Sequence, residues 1–281
     1  MMGPYAFAGG TAVVTGAASG IGEALAGQLA ARGSHLVLLD RDAGRLEAVA
    51  ARIRAASPAL RVATTVVDLA DDEATARLAA ALVAEHPETT LLVNNAGVAL
   101  GGRFDQVTLE EFDWVMAVNF RAVVRLTHAL LPVLKTHPGA HVVNVSSVFG
   151  IFAPAGQAAY AASKFAVRGF SESLRHELAQ DGIGVTVVHP GGIRTRIAES
   201  ARVGSGVSVA EYEQGRKQFA KLLRMPPEDA AARIVAAIER RRPRLLIGWS
   251  ATVPDLLVRL LPGSYWRLIA RRAAPATPPS V

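Results

Sequence analysis

The sequence contains no cysteine among its 281 residues. This absence excludes disulfide bonds, zinc sites with thiolate ligands and thiol nucleophiles, and it leaves the redox compartment undetermined. The sequence also has no run of 18 or more apolar residues, so we predict no transmembrane helix. Its first ten residues, MMGPYAFAGG, lack the charged region and the long apolar stretch of a signal peptide. A cytoplasmic protein is therefore the default expectation.

Acidic residues are nearly missing from the C-terminal part of the chain. Residues 240–281 contain eight arginines but one acid, Asp255. Residues 1–239 hold the other 22 basic and 23 acidic side chains, so the net charge of +6 comes from the tail. A basic surface over the whole protein would suggest a nucleic-acid partner, but this uneven distribution does not. We predict no nucleic-acid partner.

Short runs of aliphatic and β-branched residues alternate with longer segments of helical periodicity. Such nearly continuous apolar runs are typical of strands buried on both faces of a parallel sheet. The predicted strands are residues 11–15, 35–39, 62–67, 90–93, 141–145, 184–188 and 244–247. The predicted helices are residues 21–32, 43–56, 72–85, 108–136, 157–180 and 227–241. This order predicts an α/β fold, a doubly wound parallel sheet of the Rossmann-like type with about seven strands and helices on both faces.

The pattern predicts one domain over residues 1–250, which would bind a dinucleotide and carry the catalytic site. Within it, residues 196–225 follow a late strand, are polar at first and become helical around residues 211–223. An insertion of this kind indicates a mobile lid over the substrate. Residues 251–281 form a basic, amphipathic C-terminal extension, and its last residues, PATPPSV, are expected to be disordered.

The first predicted strand is followed by a glycine-rich turn, TGAASGIG at residues 15–22, that opens the first helix. Its three glycines let the backbone approach a pyrophosphate, while the helix N-terminus offers free N–H groups and the positive end of its dipole. The spacing GxxxGxG differs from the common GxGxxG dinucleotide fingerprint. A turn without a ligand is the alternative, but the position between strand and helix favours phosphate binding.

An acid at the end of the second strand indicates which dinucleotide is bound. Asp40 lies about 20 residues after the glycine loop, where a carboxylate accepts hydrogen bonds from the ribose hydroxyls of adenosine and repels a 2′-phosphate. We therefore predict NAD in preference to NADP, and Ser19 agrees because it is not basic. Arg41 instead favours NADP, since a guanidinium at that position could bind the phosphate. Asp68, which ends the third strand, could reach the adenine or could be a helix N-terminal acid.

Residues 160–164 read YAASK, which separates a phenol and an ammonium group by four positions. On a helix, Tyr160 and Lys164 share one face with their Cβ atoms about 5–6 Å apart. An ordinary surface pair is the alternative for this spacing alone. In a functional pair, the ammonium stabilises the phenolate and lowers the pKa of Tyr160 from its usual value of about 10. Such a phenol acts as general acid towards a carbonyl or as general base towards an alcohol.

Six motifs in register over residues 10–250 make the sequence similar to the classical short-chain dehydrogenase/reductase family. They resemble the family's cofactor loop, strand-four motif, helix-four asparagine, catalytic serine, active-site tyrosine and lysine, and the segment after strand six. In this sequence they are TGAASGIG (15–22), NNAG (94–97), Asn119 in AVNF, Ser147 in NVSS, YAASK (160–164) and PGGIRT (190–195). Ser147 precedes Tyr160 by 13 residues, which is the family's spacing.

The resemblance implies roles for four catalytic residues. Tyr160 would transfer the proton, and Ser147 would hydrogen-bond the substrate oxygen and offset its developing charge. Lys164 would also hold the hydroxyls of the nicotinamide ribose, and Asn119 would hold a water that connects Lys164 to solvent. Hydride would pass between nicotinamide C4 and the substrate carbon, so the cofactor supplies the difficult chemistry.

The residues expected to contact the cofactor lie in the glycine loop, after the strands and in the active-site motif. They are Gly16, Ser19, Gly20, Ile21, Gly22, Asp40, Arg41, Asp68, Leu69, Asn95, Ala96, Gly97, Tyr160, Lys164, Pro190, Gly191, Ile193 and Thr195. For NNAG a purely structural turn is the alternative, and Thr195 could equally cap a helix. His141, His176 and His189 show no pattern for a metal and are read as incidental, so no metal site is predicted. Ser146 is expected to be structural.

The sequence around the predicted site is apolar. The loop after the fifth strand, VFGIFAPAG at residues 148–156, has no charge, although Arg103, Arg194 and Arg196 lie near the site in sequence. We therefore predict an uncharged, fairly hydrophobic secondary alcohol or ketone, oxidised in the cell if the cofactor is NAD. The alternatives are a membrane-associated NADPH-dependent reductase of lipid-like carbonyls and a nucleotide-sensing or scaffold protein without turnover. The intact catalytic set argues against the last.

The C-terminal extension carries an apolar stripe at helical spacing. Its members are Val253, Leu256, Leu257, Leu260 and Leu261. The following segment, SYWRLIARR at residues 264–272, adds an aromatic pair and three arginines. The stripe would pack on the chain's own core or on a partner subunit, or lie on an anionic membrane surface, and we favour packing on protein. We also expect a homo-oligomer, a dimer or a tetramer.

Overall fold

The computed structural model describes residues 3–197, 200–220 and 223–267. Its strands are β1 Thr11–Thr15, β2 His35–Asp40, β3 Val62–Val66, β4 Thr89–Asn94, β5 Leu100–Gly101, β6 His141–Val145, β7 Gly184–Pro190, β8 Arg202–Val203 and β9 Arg244–Ile247. Seven of these strands form one parallel sheet in the order β3-β2-β1-β4-β6-β7-β9. The predicted doubly wound parallel sheet of about seven strands is confirmed.

Helices cover both faces of this sheet. They are α1 Gly20–Ala30, α2 Ala43–Ala56, α3 Asp72–Glu85, α4 Leu109–Met116, α5 Ala122–Lys135, α6 Ala158–Glu177, α7 Val209–Ala220, α8 Pro227–Glu239 and α9 Trp249–Leu260. One apolar cluster joins the sheet to α1, α2 and α8, and a second joins it to α3, α5 and α6. Successive strand residues point to opposite faces, so Ala12 and Val14 belong to the first cluster and Val13 to the second. The central strands are largely apolar because both of their faces are buried.

The helix predicted over residues 108–136 is interrupted. A π-helical turn, Ala117–Arg121, separates α4 from α5. π turns are rare and are frequently found at functional sites. Asn119 lies in this turn with its side chain fully buried. The predicted helix is thus present from Leu109 to Lys135, with one wider turn that a period of 3.6 residues does not reveal.

The same stretch, Leu109–Lys135, is long and apolar enough to cross a membrane by length and composition. Of its most apolar window, 56% is buried inside the protein. A buried core helix passes the same test, and α5 packs on the sheet in the second cluster. This finding therefore carries little weight as a sign of a membrane span.

The segment predicted as a lid, residues 196–225, contains β8 and α7. β8 pairs in parallel with β5, which follows NNAG, and the two form a separate small sheet. Further along, the backbone N–H of Ser205 donates to Glu111 at the start of α4 at 3.0 Å. The sequence did not predict β5 or β8, because a strand of two residues shows no periodicity. The helix predicted around residues 211–223 begins at Val209, and residues 221–222 lie outside the described residues.

α9 contains the predicted amphipathic stripe but begins earlier, at Trp249. Its inner side holds Ala251, which is fully buried, and Asp255, which forms a two-pronged ion pair with Arg244 of β9. On its outer side, four large apolar side chains are exposed, namely Val253, Leu256, Leu260 and Leu261. The described part of the chain leaves these four side chains exposed, and the packing of the stripe on protein stays a prediction. Residues 268–281, with the end predicted to be disordered, lie outside the described residues.

Candidate active site

The glycine loop lies at the carboxyl end of β1 and leads into α1. Gly16 and Gly20 have φ angles of +66° and +57°, a region that side chains disfavour. At Gly22, an added Cβ would lie 2.0 Å from the carbonyl oxygen of Gly16, so the loop closes only with glycine there. Ser19 precedes α1 and makes no side-chain cap hydrogen bond, which leaves the first N–H groups of α1 without a side-chain cap. This arrangement suits a bound phosphate group.

NNAG lies at the end of the neighbouring strand β4 and is hydrogen-bonded to the start of the glycine loop. The side-chain amide of Asn95 donates to the carbonyls of Thr15 at 3.0 Å and Gly16 at 3.2 Å. The hydroxyl of Thr15 accepts the backbone N–H groups of Asn95 and Ala96, both at 2.9 Å. Asn94 is buried and bonds other polar side chains of the core. The two asparagines therefore shape the turn, which is the structural role that sequence analysis left as the alternative for NNAG.

Asp40, at the end of β2, is tied to the backbone around it. Its carboxylate accepts the N–H of Ala18 in the glycine loop and the N–H of Asp42, both at 3.0 Å. The next residue, Arg41, has an exposed side chain. The acid and the arginine that sequence analysis weighed against each other thus lie side by side at the edge of the glycine loop.

Three other residues predicted to bind the cofactor have contacts within the chain. Asp68 follows β3 and accepts the N–H of Ala70 at 2.9 Å. Leu69 is buried in the second cluster, and Ile21 packs against the first. Among the described residues, no group of three or more histidines, aspartates and glutamates could hold a metal ion.

Tyr160 and Lys164 lie on the buried side of α6, with 9% and 2% of their surface exposed. The ammonium of Lys164 donates to the carbonyl of Val145, at the end of β6, at 3.1 Å. It also lies 5.7 Å from the centre of the Tyr160 ring. The alternative of an ordinary surface pair therefore does not hold.

Burial shifts the pKa of both groups. It raises the pKa of Tyr160 above 10.0, and a hydrogen bond with Ser147 opposes this rise. It lowers the pKa of Lys164 to about 8. The net shift is opposite to the lowering that the sequence predicted, because removal from water disfavours the phenolate more than the Ser147 side chain stabilises it.

Ser147 follows β6 and begins a 3₁₀ turn, Val148–Gly150. Its hydroxyl oxygen accepts the backbone N–H of Phe149 at 3.1 Å, and its side chain lies close enough to Tyr160 to oppose the rise in the pKa of that phenol. Its carbonyl oxygen accepts a hydrogen bond from the ring of His189 at 3.0 Å. The serine and the tyrosine, 13 residues apart in sequence, are thus in contact at the ends of the strands.

The π turn brings Asn119 to the same point. The amide oxygen of Asn119 accepts the N–H of Val98 at 2.8 Å, and its NH₂ group donates to the Val98 carbonyl and to Ser163, both at 3.0 Å. A Cβ added to Gly97 would lie 3.2 Å from Nζ of Lys164 and 3.3 Å from the amide oxygen of Asn119. Gly97 therefore leaves room for the ammonium and the amide to approach each other.

PGGIRT leads from β7 to the glycine loop. Pro190 is the last residue of β7, and the N–H of Gly191 donates to β9 at 3.0 Å. Ile193 is buried. A Cβ added to Gly20 would lie 3.1 Å from the side chain of Thr195, so Thr195 lies against the glycine loop. The segment therefore closes the cofactor side of the site.

Several residues near the site were missed by the sequence analysis. The ring of Phe149 lies edge-on to that of Tyr160, with centroids 6.0 Å apart. The guanidinium of Arg202 in β8 lies 3.9 Å from the centre of the Trp114 ring in α4. The hydroxyl of Ser250 in α9 accepts the backbone N–H that follows Gly191 at 3.1 Å. The apolar loop was a signal for Phe149, whereas the other contacts join segments without a motif.

Comparisons with known proteins agree with this geometry. A family model described as short chain dehydrogenase matches residues 10–205. The chain is 40% identical over 272 residues to SadH of Mycobacterium tuberculosis, a relative named only as an oxidoreductase, and the match covers 95% of this chain and 96% of SadH.

Two solved structures show the same fold over nearly the whole chain. One is a short chain dehydrogenase/reductase from Burkholderia phymatum in complex with NAD, with a TM-score of 0.81 and 29% identity over 99% of this chain and 100% of that chain. The other is a short-chain dehydrogenase from Sphingobium yanoikuyae in complex with NADPH, with a TM-score of 0.76 and 29% identity over 96% of this chain and 98% of that chain.

Proposed function

Because the chain belongs to the short-chain dehydrogenase/reductase family and is an NAD(P)-binding oxidoreductase, we propose that it transfers hydride between nicotinamide and an uncharged, fairly hydrophobic secondary alcohol or ketone. The observation that carries this proposal is the buried contact of Tyr160 with Ser147, next to Lys164 and Asn119. A protein that only binds a nucleotide has no need for a buried phenol and ammonium beside each other.

Tyr160 acts as general acid towards a ketone and as general base towards an alcohol. Its raised pKa keeps it protonated at neutral pH, so its hydroxyl can donate to a substrate oxygen. Ser147 offers a second hydroxyl at the same point, and the two donors offset the negative charge that develops on that oxygen. When bound, the nicotinamide supplies or accepts the hydride.

Lys164 supports the proton transfer. Its ammonium is close enough to the Tyr160 ring to stabilise the phenolate when the proton leaves. With a pKa of about 8, Lys164 itself can exchange a proton near neutral pH. Gly97 leaves Lys164 and the amide oxygen of Asn119 near the same space, which supports Asn119 as the residue that would hold a water between Lys164 and solvent.

For the cofactor we propose NAD rather than NADP. The carboxylate of Asp40 lies at the glycine loop, and each of its oxygens has a lone pair left for a ribose hydroxyl after the bonds to Ala18 and Asp42. Its charge repels a 2′-phosphate. The exposed Arg41 opposes this preference, and the neighbouring structures include one complex with NAD and one with NADPH.

For the substrate, the apolar surroundings support an uncharged molecule. Phe149 and Phe152 are in edge-on contact at 5.3 Å beside Tyr160. Of the arginines near the site in sequence, Arg103 already pairs with Asp105 at 3.1 Å. It is therefore not available as a simple anchor for a substrate carboxylate or phosphate.

The proposal is tested by Tyr160→Phe with a panel of apolar alcohols and ketones and both cofactors. Turnover should fall by about 10²–10⁴-fold, because the phenolic proton is lost. Cofactor affinity should stay near the wild-type value, because the ring keeps its contact with Phe149.

The matched control is Tyr5→Phe, which removes a buried hydroxyl bonded to Thr90 at 2.8 Å, far from the site in sequence. This variant should keep its turnover. If Tyr160→Phe retained kcat within about tenfold of wild type, general acid–base catalysis by Tyr160 would be excluded.

A further inference from the structure

His189 lies near the end of β7 and is fully buried. The neighbouring strand β6 pairs Val145 with Val188, which brings the residues that follow on both strands together. The Nδ1 atom of His189 lies 3.0 Å from the carbonyl oxygen of Ser147. Because a carbonyl oxygen can only accept, Nδ1 carries the proton and donates it to this bond.

The surroundings of His189 keep its ring neutral. Burial and the positive charges of Arg244 and Arg168 lower the pKa of His189 to about 4, although the bond to Ser147 and the charge of Asp255 oppose this shift. A neutral imidazole has one proton, and Nε2 has no hydrogen-bond partner among the described residues. Moving the proton to Nε2 would therefore give up the bond to Ser147 without gaining another.

The hydrogen bond from His189 restrains Ser147, a residue whose hydroxyl must point towards the substrate oxygen to take part in the reaction. The Ser147 carbonyl also accepts the N–H of Gly150 at 2.9 Å, and the Ser147 hydroxyl accepts that of Phe149 at 3.1 Å. The position of a serine hydroxyl depends on its backbone and on one side-chain torsion. The bond to Phe149 restrains the torsion, while His189 and Gly150 restrain the backbone. These contacts hold the Ser147 side chain near Tyr160, where it opposes the rise in the pKa of the phenol.

We infer that His189 is a positioning residue for Ser147: by donating from Nδ1 to the Ser147 carbonyl, it fixes the direction in which the Ser147 hydroxyl meets Tyr160 and the substrate oxygen. This inference rests on the proposed function. It gives a role to a histidine that the sequence motifs do not include. His189 reaches no reacting atom itself and acts only through the backbone of the serine.

α9 supports the arrangement from outside the catalytic motifs. Asp255 binds Arg244 through both guanidinium nitrogens of its fork, one of them at 3.1 Å. Arg244 lies in β9 opposite Val187, two residues before His189, on the face of the sheet away from the first apolar cluster. The ion pair therefore holds an arginine beside the histidine ring, and the ring stays in the neutral form that donates from Nδ1.

The test compares two substitutions of His189. His189→Leu keeps an apolar side chain of similar bulk but has no donor, whereas the amide of His189→Asn can donate from nearly the position of Nδ1. In His189→Leu, kcat should fall by about 10- to 100-fold, as expected for a misplaced catalytic group. His189→Asn should recover most of this loss. The dissociation constant of the cofactor should be unchanged in both, because the hydrogen bond of the His189 side chain goes to Ser147, which is not among the predicted cofactor residues.

His141→Leu is the matched control. His141 is equally buried, lies at the start of β6 and bonds Thr186 at 2.8 Å, at the opposite end of the same strands. Its loss should lower the melting temperature and leave kcat unchanged. If His189→Leu behaved like His141→Leu, or if His189→Asn lost as much kcat as His189→Leu, the histidine would be merely structural and the inference wrong.

A second measurement does not depend on turnover. Amide hydrogen exchange at Phe149 and Gly150 reports on the turn that Ser147 begins. Exchange there should speed up in His189→Leu, return towards wild type in His189→Asn and stay constant at amides of β1 and β2. Unchanged protection in His189→Leu would overturn the inference. A wild-type protein that reduced no ketone of the panel would instead count against the proposed function, with the exchange result still deciding the role of His189.

Discussion

Lys164 keeps an ammonium group almost entirely out of water, and we expect Lys164→Met to stabilise the protein while it abolishes turnover. Methionine has an unbranched chain that fills the same space without a charge. The variant removes the cation that stabilises the Tyr160 phenolate. Catalysis and stability therefore respond in opposite directions at this position.

The size of the effect follows from the shift in pKa. The pKa of this lysine is about 8 in the folded protein, against 10.5 for a lysine in water. Each unit is worth about 1.4 kcal/mol, so the buried charge costs about 3 kcal/mol. Losing the hydrogen bond to the Val145 carbonyl lowers the free energy of unfolding by about 1 kcal/mol. The net gain of about 2 kcal/mol corresponds to a rise of about 4 °C in melting temperature for a chain of this length.

The stabilisation by Lys164→Met should also depend on pH, because the charge of Lys164 does. Below pH 8 the lysine is charged in both states, so the wild type carries the whole cost. Between pH 8 and 10.5 the folded protein releases the proton while the unfolded chain keeps it, and the cost disappears as the pH rises. The difference in unfolding free energy between Lys164→Met and wild type should therefore be largest at pH 7 and shrink towards pH 10.5.

Chemical denaturation of both proteins at several pH values measures this difference. Lys135→Met is the control, since this lysine is half-exposed and pairs with Asp181 at 2.9 Å, so its loss should bring no gain in stability. A Lys164→Met variant that is less stable than wild type at pH 7, or a gain that does not change with pH, would refute the reasoning.

Three further predictions concern the cofactor and α9. Asp40→Ser should shift the ratio of kcat/KM values from NAD towards NADP, and a wild type that already prefers NADPH would reverse the assignment. Ser250→Ala removes the acceptor of the Gly192 N–H and should weaken NADH binding by about fivefold, the equivalent of 1 kcal/mol, in a fluorescence titration. Leu256, 59% exposed on α9, should be covered by a second subunit, so Leu256→Glu should reduce the oligomer size in light scattering, whereas Val209→Glu, 75% exposed on α7, should not. Unchanged size together with lost binding to anionic vesicles would favour a membrane surface instead.

The sheet could be predicted because its strands are buried on both faces. Each central strand is a nearly continuous apolar run, and the helices between them have clear boundaries. Two features escaped. The π turn at Ala117–Arg121 depends on bonds from Asn119 to Val98, which lies 21 residues earlier. The pairing of β5 with β8 joins segments about 100 residues apart, and neither strand is long enough to show a pattern.

The residues of the site that belong to sequence motifs could be predicted. Ser147, Tyr160 and Lys164 meet as expected, but the direction of the Tyr160 pKa shift was predicted wrongly. The sequence shows that a cation lies beside the phenol, but it does not show how completely both are removed from water. Burial is a property of the packed fold, and here its effect on the pKa of Tyr160 is larger than that of the Ser147 side chain.

The contact of His189 with Ser147 was not predicted from the sequence for a related reason. Its partner is a backbone carbonyl, and a backbone carbonyl is present at every position, so no sequence pattern marks the contact. Only the pairing of β6 with β7 brings His189 to Ser147. Second-layer residues of this kind are recognised from strand register and burial, and the same holds for Ser250, whose partner is a backbone N–H.

α9 connects these observations. The sequence places a domain boundary between residues 250 and 251, yet this boundary falls inside the helix. Ser250 bonds the segment after β7, and Asp255 holds Arg244 beside His189. The single acid of the basic extension is thus turned inward, while its apolar side chains face outward. One side of α9 packs beside the active site, and the other presents apolar side chains that the described residues leave exposed. The helix would therefore link the geometry of Ser147 to whatever covers that face, and we expect oligomer assembly and turnover to change together.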